Sequence, residues 1–263
     1  MSKTRKVLLT LLALALLTGP AKLLLAAMLP DGAVDPVPGC IAGILLALLT
    51  LGLPAWLMRP WTSPRLARQK SLLPGLVLAV LAAVTVRFGF QITDTAWQMA
   101  LGLMPDALPA PDSIPLGMLY IAALVIVPAL TEEAFFRGAL LTGLLDGSRR
   151  ITAALLTILA FVLLHGSLAH LPSLLAMSAL LTLLMLHTGH IAVPITAHLV
   201  YNLTALNGVA VPDWASWMCC GAAVVLGGYL LSEQPSYAHP PMKKADGLIA
   251  AAAMTAMLIS TLI

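Results

Sequence analysis

The stretch that decides the fold is PLGMLYIAALVIVPALTEEAFFRGALLTGLL, residues 115–145. A helix needs about 20 mainly apolar residues to cross the hydrocarbon core of a bilayer, and this stretch exceeds that length. Its only Asp, Glu, Lys or Arg residues are Glu132, Glu133 and Arg137, which lie well inside the apolar run. Charged side chains inside a membrane span are costly and usually mark a functional site. The stretch therefore predicts a membrane-spanning helix that carries a buried polar site.

The rest of the chain has the same apolar character. Of its 263 residues, 60% are hydrophobic and only 10% are charged, and the mean hydropathy is +0.98. A soluble domain has about a quarter of its residues charged, so these charges are too few to cover a surface in water. Apolar runs fall at about 7–29, 39–58, 72–90, 115–145, 151–166, 171–187, 191–211, 214–232 and 247–263. We predict an all-α, polytopic transmembrane helix bundle with about eight or nine spans, in which residues 1–263 form a single integral membrane domain in the lipid bilayer.

The connections between these apolar runs alternate in charge. Lys and Arg are concentrated at the N-terminus and in the connections 59–71, 146–150 and 233–246, whereas the alternate connections carry Asp and no Lys or Arg. In membrane proteins the short cytoplasmic loops carry the excess of Lys and Arg. The pattern predicts a cytoplasmic N-terminus, and the composition favours a bacterial inner or plasma membrane. Because the net charge of +3 is spread over these loops, we predict no nucleic-acid partner.

Helix periodicity sorts the polar residues inside the runs into pairs. Glu133 and Arg137 are four residues apart, so they share one helix face and can form an ion pair. Glu132 points about 100° away from Glu133, because a helix turns once in 3.6 residues. His198 and Asn202, in a later run, are also four apart and project from one face. The spacing therefore pairs Glu133 within its own helix and directs Glu132 elsewhere.

A helical hairpin brings Glu132 to a histidine of the next run. The midpoint between Glu132 and His165 falls in the turn at 146–150, so two antiparallel helices would place them at the same level. That level is roughly 24 Å of helix from the turn, at about 1.5 Å per residue. Phe161 precedes His165 by four residues, which places an aromatic ring beside the imidazole.

Each of these groups also has a purely structural interpretation. Glu133 with Arg137 can be an ion pair that only stabilises the helix, and His165 can be an interfacial histidine. His198 with Asn202 can be an interhelical hydrogen-bond pair. Glu132 is the hardest of them to explain structurally, because its own motif gives it no partner.

Three short motifs carry a resemblance to a known family. In chain order they are EEAFFRG at 132–138, FVLLH at 161–165 and HLVYN at 198–202. They match the patterns EExxxR, FxxxH and HxxxN, and the chain so resembles the CPBP, or Abi, family of intramembrane proteases. That family includes type II CAAX prenyl endopeptidases and bacterial proteins tied to bacteriocin processing and immunity. The resemblance covers about residues 115–210, which we interpret as the catalytic core.

The resemblance implies a glutamate-dependent endopeptidase acting inside a helical membrane core, with no metal or other cofactor. Glu132 and His165 would activate the attacking water, and His198 and Asn202 would stabilise the oxyanion. Three further residues would orient the site: Glu133, Arg137 and Phe161. The expected substrate is a membrane-associated peptide or protein, cleaved by CAAX-type processing.

Two other functions fit the same residues. Glu132, His165 and His198 could supply three zinc ligands and leave a position for water, as in a metalloprotease, although the HExxH motif is absent. A non-enzymatic transporter or bacteriocin-immunity protein could use the buried acid and histidines as a proton relay. The amide of Asn202 favours hydrolysis, since a proton relay has no obvious need of it.

Overall fold

The computed structural model describes residues 2–28, 36–58, 72–103, 110–232 and 241–262, and all regular structure in these ranges is helical. The all-α prediction is confirmed for this part of the chain. The helices are α1 Lys3–Met28, α2 Val37–Leu57, α3 Leu72–Gly89, α4 Gln91–Leu101, α5 Ile114–Leu145, α6 Arg150–His165, α7 Leu171–Thr188, α8 Ala192–Leu206, α9 Asp213–Ser232 and α10 Lys244–Leu262. The predicted connection 59–71 and residues 233–240 of the connection 233–246 lie outside the described residues.

Several helices have the dimensions of membrane spans. Among the described residues, five stretches are long and apolar enough to cross a bilayer, namely α2, α3 continued by α4, α5, α7 and α9, and the shorter α6 and α8 are also apolar. These helices indicate an integral membrane protein. The count of eight or nine spans stays a prediction, because the structure supports five by length and composition.

The chain divides into two compact units. The first comprises Met1–Ser63, Ala110–Gly166 and Ala238–Ile263, and the second comprises Pro64–Pro109 and Ser167–Tyr237. Glu132 and His165 belong to the first unit, whereas His198 and Asn202 belong to the second. The single integral membrane domain and the core at 115–210 stay predictions.

Helix α5 is not a uniform α-helix. Two π-helical segments, Ile121–Ile126 and Ala134–Leu141, alternate with α-helical turns. Pro128 follows the first of them, and a proline inside a helix lacks an N–H and crowds the carbonyl four residues before it, which widens the helix locally. The second segment begins directly after Glu133 and contains Arg137. Such π-helical turns occur often at functional sites.

The first unit holds the carboxyl end of α5 against α1. Thr4 Oγ1 donates a hydrogen bond to the carbonyl of Gly143 at 2.9 Å. A Cβ added to Gly143 would lie 2.6 Å from Val7 Cγ1, so only glycine lets the two helices come this close. Lys3 pairs with Asp146 at 3.3 Å, just past the end of α5. These contacts fix the turn from which α6 returns.

The second unit is packed around small residues of α3. Ala79, Ala82, Ala83 and Val86 lie on one face of that helix and are buried against α7, α8 and α9. Small side chains let helix backbones approach closely in membrane proteins. A Cβ on Gly89 would lie 2.6 Å from the backbone nitrogen of Cys220 in α9, so this approach also needs a glycine.

Helix α4 follows α3 directly after residue 90. Asp94 N–H donates to the Phe90 carbonyl at 2.9 Å, so α4 continues α3 almost without a break. Its polar side chains bond to loops of the second unit: Gln91 with Val211, Asp94 with Ser173, Trp97 with Leu168, and Gln98 with Ala169. The polar face of α4 therefore positions the loops that lead into α7 and out of α8.

Candidate active site

Glu132 and His165 meet in the first unit. Glu132 lies on α5 and His165 is the last residue of α6, with 3.5 Å between Glu132 Oε2 and His165 Nε2. Their side chains are 14% and 27% exposed, so the pair is largely shielded. This is the meeting that the hairpin geometry predicts. The helices on either side of the turn at 146–150 have similar lengths up to the two residues. Glu132 and His165 therefore lie at the same level.

The backbone fixes which nitrogen of His165 faces the carboxylate. His165 Nδ1 lies 2.8 Å from the carbonyl oxygen of Phe161. A carbonyl oxygen can only accept, so Nδ1 carries the hydrogen and Nε2 is turned towards Glu132. Helix α6 ends directly afterwards, because Gly166 adopts a left-handed conformation with φ of 61°. His165 thus occupies the end of a helix, with one ring nitrogen occupied and the other directed at Glu132.

The protonation of the two groups decides whether they attract or repel each other. A neutral imidazole with hydrogen on Nδ1 would present its Nε2 lone pair to an ionised Glu132, and two lone pairs repel each other. A proton on either Nε2 or the carboxyl group turns the repulsion into attraction. The separation of 3.5 Å exceeds a normal direct hydrogen bond, and it suits two groups that share a small polar molecule.

Glu133 and Arg137 form the ion pair that their spacing predicts. Arg137 Nη1 lies 2.8 Å from Glu133 Oε1, and both side chains are fully buried, at 0% exposure. A buried charge is tolerated when an opposite charge and hydrogen bonds compensate it. The pair lies where α5 changes from α-helix to π-helix, so it joins the turn that carries Glu132 to the π-helical segment.

Phe161 connects this ion pair to His165. The Arg137 guanidinium carbon lies 4.5 Å from the centre of the Phe161 ring, which is a cation–π distance. The Phe161 and His165 rings lie with centroids 4.3 Å apart and planes tilted by 34°. Phe161 is 1% exposed. The ring therefore packs between the buried cation and the imidazole.

Two aromatic residues complete this packing and were not singled out from the sequence. The ring centroids of Phe136 and Phe161 are 5.2 Å apart, as are those of Phe135 and Phe136. Both added residues are fully buried. Phe136 could have been found from its spacing, because it follows Glu132 by four residues and so shares its helix face.

His198 and Asn202 lie on α8 in the second unit. His198 is 3% exposed and Asn202 is half-buried. Val193 and Ala197 of the same helix pack into the core of that unit. The joining of these two residues with Glu132 and His165 in one site stays a prediction, as do the roles of all seven residues.

A family comparison covers this region. Residues 114–204 match the family model described as Type II CAAX prenyl endopeptidase Rce1-like. These residues resemble the type II CAAX prenyl endopeptidases. No curated protein and no solved structure matches the chain.

The Rce1-like match confirms the resemblance that the three motifs indicate. It contains the whole of α5, α6 and α7 and most of α8, with all three motifs inside it. It supports a protease function at the level of the family. Among the described residues there is no group of three or more His, Cys, Asp or Glu that could hold a metal ion.

The Phe161 ring is expected to hold the His165 imidazole in place. Phe161→Leu keeps an apolar side chain but removes the ring that contacts Arg137 and His165. We expect peptide cleavage to slow about tenfold, because roughly 1–2 kcal/mol of ring contacts no longer holds the imidazole in place. Cleavage rate and melting temperature in detergent are the measurements.

Phe135→Leu is the matched control for this change. Phe135 is equally buried, but its ring contact is with Phe136. It should lose similar core packing and melt at a similar temperature, yet cleave close to the wild-type rate. Equal cleavage rates in the two variants would contradict the positioning role of Phe161.

Proposed function

We propose that the chain is an intramembrane endopeptidase that hydrolyses a peptide bond of a membrane-associated protein or peptide. The observation that carries the proposal is the contact of Glu132 with His165 Nε2, with Nδ1 held by the Phe161 carbonyl. A carboxylate can act as a general base, and a protonated imidazole beside it can act as a general acid. The Rce1-like match of residues 114–204 supports the same reaction class.

The proposed reaction moves a proton from water through Glu132 to the leaving nitrogen. The pair starts with an ionised Glu132 and a proton on His165 Nε2. As a water oxygen attacks the peptide carbonyl carbon, Glu132 takes a proton from that water and a tetrahedral intermediate forms. When the carbon–nitrogen bond breaks, the proton passes to the leaving nitrogen, so a carboxylic acid and an amine result. The imidazolium of His165 would stabilise the Glu132 carboxylate before it takes the proton and after it has passed the proton on.

The oxyanion of the intermediate needs its own donors. By family resemblance, the imidazole of His198 and the amide of Asn202 would donate to this oxygen. Donors aimed at a developing charge are worth more where water is excluded, because the local dielectric is low. The burial of His198 agrees with such a place. The ion pair of Glu133 with Arg137 would hold α5 in register. The Phe161 ring, packed between Arg137 and His165, would hold the imidazole in position.

The proposed substrate is the C-terminal region of a membrane-tethered protein, processed as in CAAX cleavage. This proposal rests on the description of the matched family. The test compares membrane proteomes of cells that carry the wild-type chain or Glu132→Gln. We expect shortened products in the wild-type cells and the uncleaved precursors in the variant. Identical peptide termini in the two membranes would contradict the peptidase function and leave the proton relay as the better account.

We also propose that this hydrolysis needs no metal or other cofactor. His165 Nδ1 is already engaged with a carbonyl, and Glu132 and His165 Nε2 would supply the base and the acid. Exhaustive chelation is therefore expected to leave the cleavage rate within about twofold of the untreated protein. Zinc bound stoichiometrically, with activity lost on its removal and regained on addition, would favour the alternative in which Glu132, His165 and His198 are ligands.

The proposed orientation has a cytoplasmic N-terminus in a bacterial inner or plasma membrane. The charge of the connections supports it, since Arg149 and Arg150 lie at one end of the α5–α6 hairpin. A membrane-impermeant thiol reagent added outside the cell should label a cysteine placed at residue 94 and spare one placed at residue 149. The reverse labelling pattern would invert the orientation.

A further inference from the structure

Arg87 lies in the last turn of α3 and has no part in the proposed reaction. It is the only Lys or Arg among the described residues of the second unit. The predicted topology places this end of α3 away from the Lys- and Arg-rich loops, so the positive-inside pattern does not explain it. The helix dipole favours a cation in this last turn, and the guanidinium also offers donors to an anionic ligand.

The guanidinium of Arg87 uses little of its hydrogen-bonding capacity within the described chain. Arg87 Nη2 donates to the Val209 carbonyl at 3.4 Å, and the buried Nε has no acceptor there. A guanidinium has five N–H donors, and a buried donor without an acceptor is unfavourable. An oxyanion would satisfy several of these donors at once, because the planar fork of arginine fits phosphate and carboxylate oxygens in pairs.

The nearest acidic side chain on the same helical stretch is engaged elsewhere. Asp94 Oδ1 accepts from the backbone N–H of Ser173 at 3.0 Å, and Asp94 Oδ2 lies 3.4 Å from His170 Nδ1. Both oxygens thus face the start of α7. Asp94 therefore does not supply an oxyanion to Arg87.

The surface at this end of the unit is aromatic and exposed. The start of α9 is attached to the end of α3, where Ser216 Oγ donates to the Phe88 carbonyl at 2.6 Å. On either side of Ser216, Trp214 and Trp217 are 67% and 60% exposed. Exposed tryptophans concentrate at the level of lipid headgroups, where their rings meet both acyl chains and polar groups. At that level the abundant oxyanion is the phosphate of a phospholipid.

We propose that Arg87, with the loop 207–212 and the start of α9, forms a binding site for a phosphate group that a phospholipid headgroup supplies. The acyl chains lie along the exposed tryptophans, and the phosphate oxygens accept from the Arg87 guanidinium. The site lies within the second unit and does not depend on the proposed peptidase function.

The test titrates the purified full-length chain in detergent with dioctanoyl phosphatidylglycerol and follows the melting temperature. We expect a saturable rise of about 3 °C for the wild-type protein, as ligand binding to the folded state predicts. Dioctanoylglycerol has the same chains without phosphate and should give no such rise. Arg87→Gln should abolish the rise, whereas Arg149→Gln, which changes an exposed arginine of the first unit, should keep it.

Each other outcome overturns a part of the proposal. A full rise in Arg87→Gln, or an equal loss in Arg149→Gln, would rule out a specific site at Arg87. Inorganic phosphate that reproduces the Arg87-dependent rise would identify a free anion as the ligand and overturn the lipid assignment.

Should Arg87→Gln fail to fold, Arg87→Lys keeps the charge but loses the planar fork. Native mass spectrometry should then find phosphatidylglycerol retained about tenfold more weakly, and equal retention would contradict the site.

Discussion

Glu132→Gln is expected to lower the rate of peptide cleavage at least about 1,000-fold, which is within the range for loss of a general base. The amide has the shape of the carboxyl group but cannot take a proton from water. The attraction between the Glu132 carboxylate and a protonated His165 is lost as well, because the amide carries no charge. Cleavage rates of a substrate identified by the proteome comparison are the measurement.

Folding should survive this change. Glu132 is part-exposed, and its partner His165 keeps the hydrogen bond to Phe161, so we expect a melting temperature within about 2 °C of wild type. Glu132→Asp provides a graded control, since it keeps the base but draws it back by one carbon. It should retain more activity than Glu132→Gln. A Glu132→Gln protein that cleaves at the wild-type rate would exclude Glu132 as the base.

Glu133→Gln is expected to act mainly on stability. It leaves the fully buried Arg137 charge without its 2.8 Å carboxylate partner, and breaking a buried ion pair in this way costs roughly 3–5 kcal/mol. At about 2–4 °C per kcal/mol, the melting temperature should fall by roughly 10 °C, and less folded protein should reach the membrane. The protein that does fold should retain part of its activity, because the contact of Glu132 with His165 is untouched.

The double variant Glu133→Gln with Arg137→Met tests the physical cause. It removes the remaining charge along with its partner, so part of the lost melting temperature should return. The cation–π contact with Phe161 is lost in this variant, so full recovery is not expected. A fully stable but inactive Glu133→Gln, beside an active Glu132→Gln, would reverse the roles assigned to the two glutamates.

Much of this fold could be predicted from hydrophobicity alone. Runs of apolar residues mark α2, α5, α7 and α9, because lipid allows few structures other than helices that satisfy their own backbone. The contacts of the segment after residue 90 could not be predicted in this way. Its polar residues bond to loop carbonyls and form the polar face of α4. Those partners lie about 70 residues or more along the chain, where local pattern carries no signal.

The candidate site shows the same division between local and distant information. The pairing of Glu133 with Arg137 follows from a spacing of four, and the meeting of Glu132 with His165 follows from the length of the hairpin. The π-helical turn after Glu133 and the orientation of the His165 ring do not follow from spacing. Each depends on where one backbone carbonyl points, which only the packed structure specifies.

In the proposed reaction, Glu132 directs a water molecule onto a peptide bond. The most direct measurement is a single turnover in water enriched in ¹⁸O, with wild-type protein and Glu132→Gln in liposomes and the identified substrate present in the same membrane. The account predicts one ¹⁸O atom in the new C-terminal carboxyl group from the wild-type protein and no cleavage by the variant. Absence of cleavage by the folded wild-type protein, or ¹⁸O-labelled product from Glu132→Gln at the wild-type rate, would contradict it.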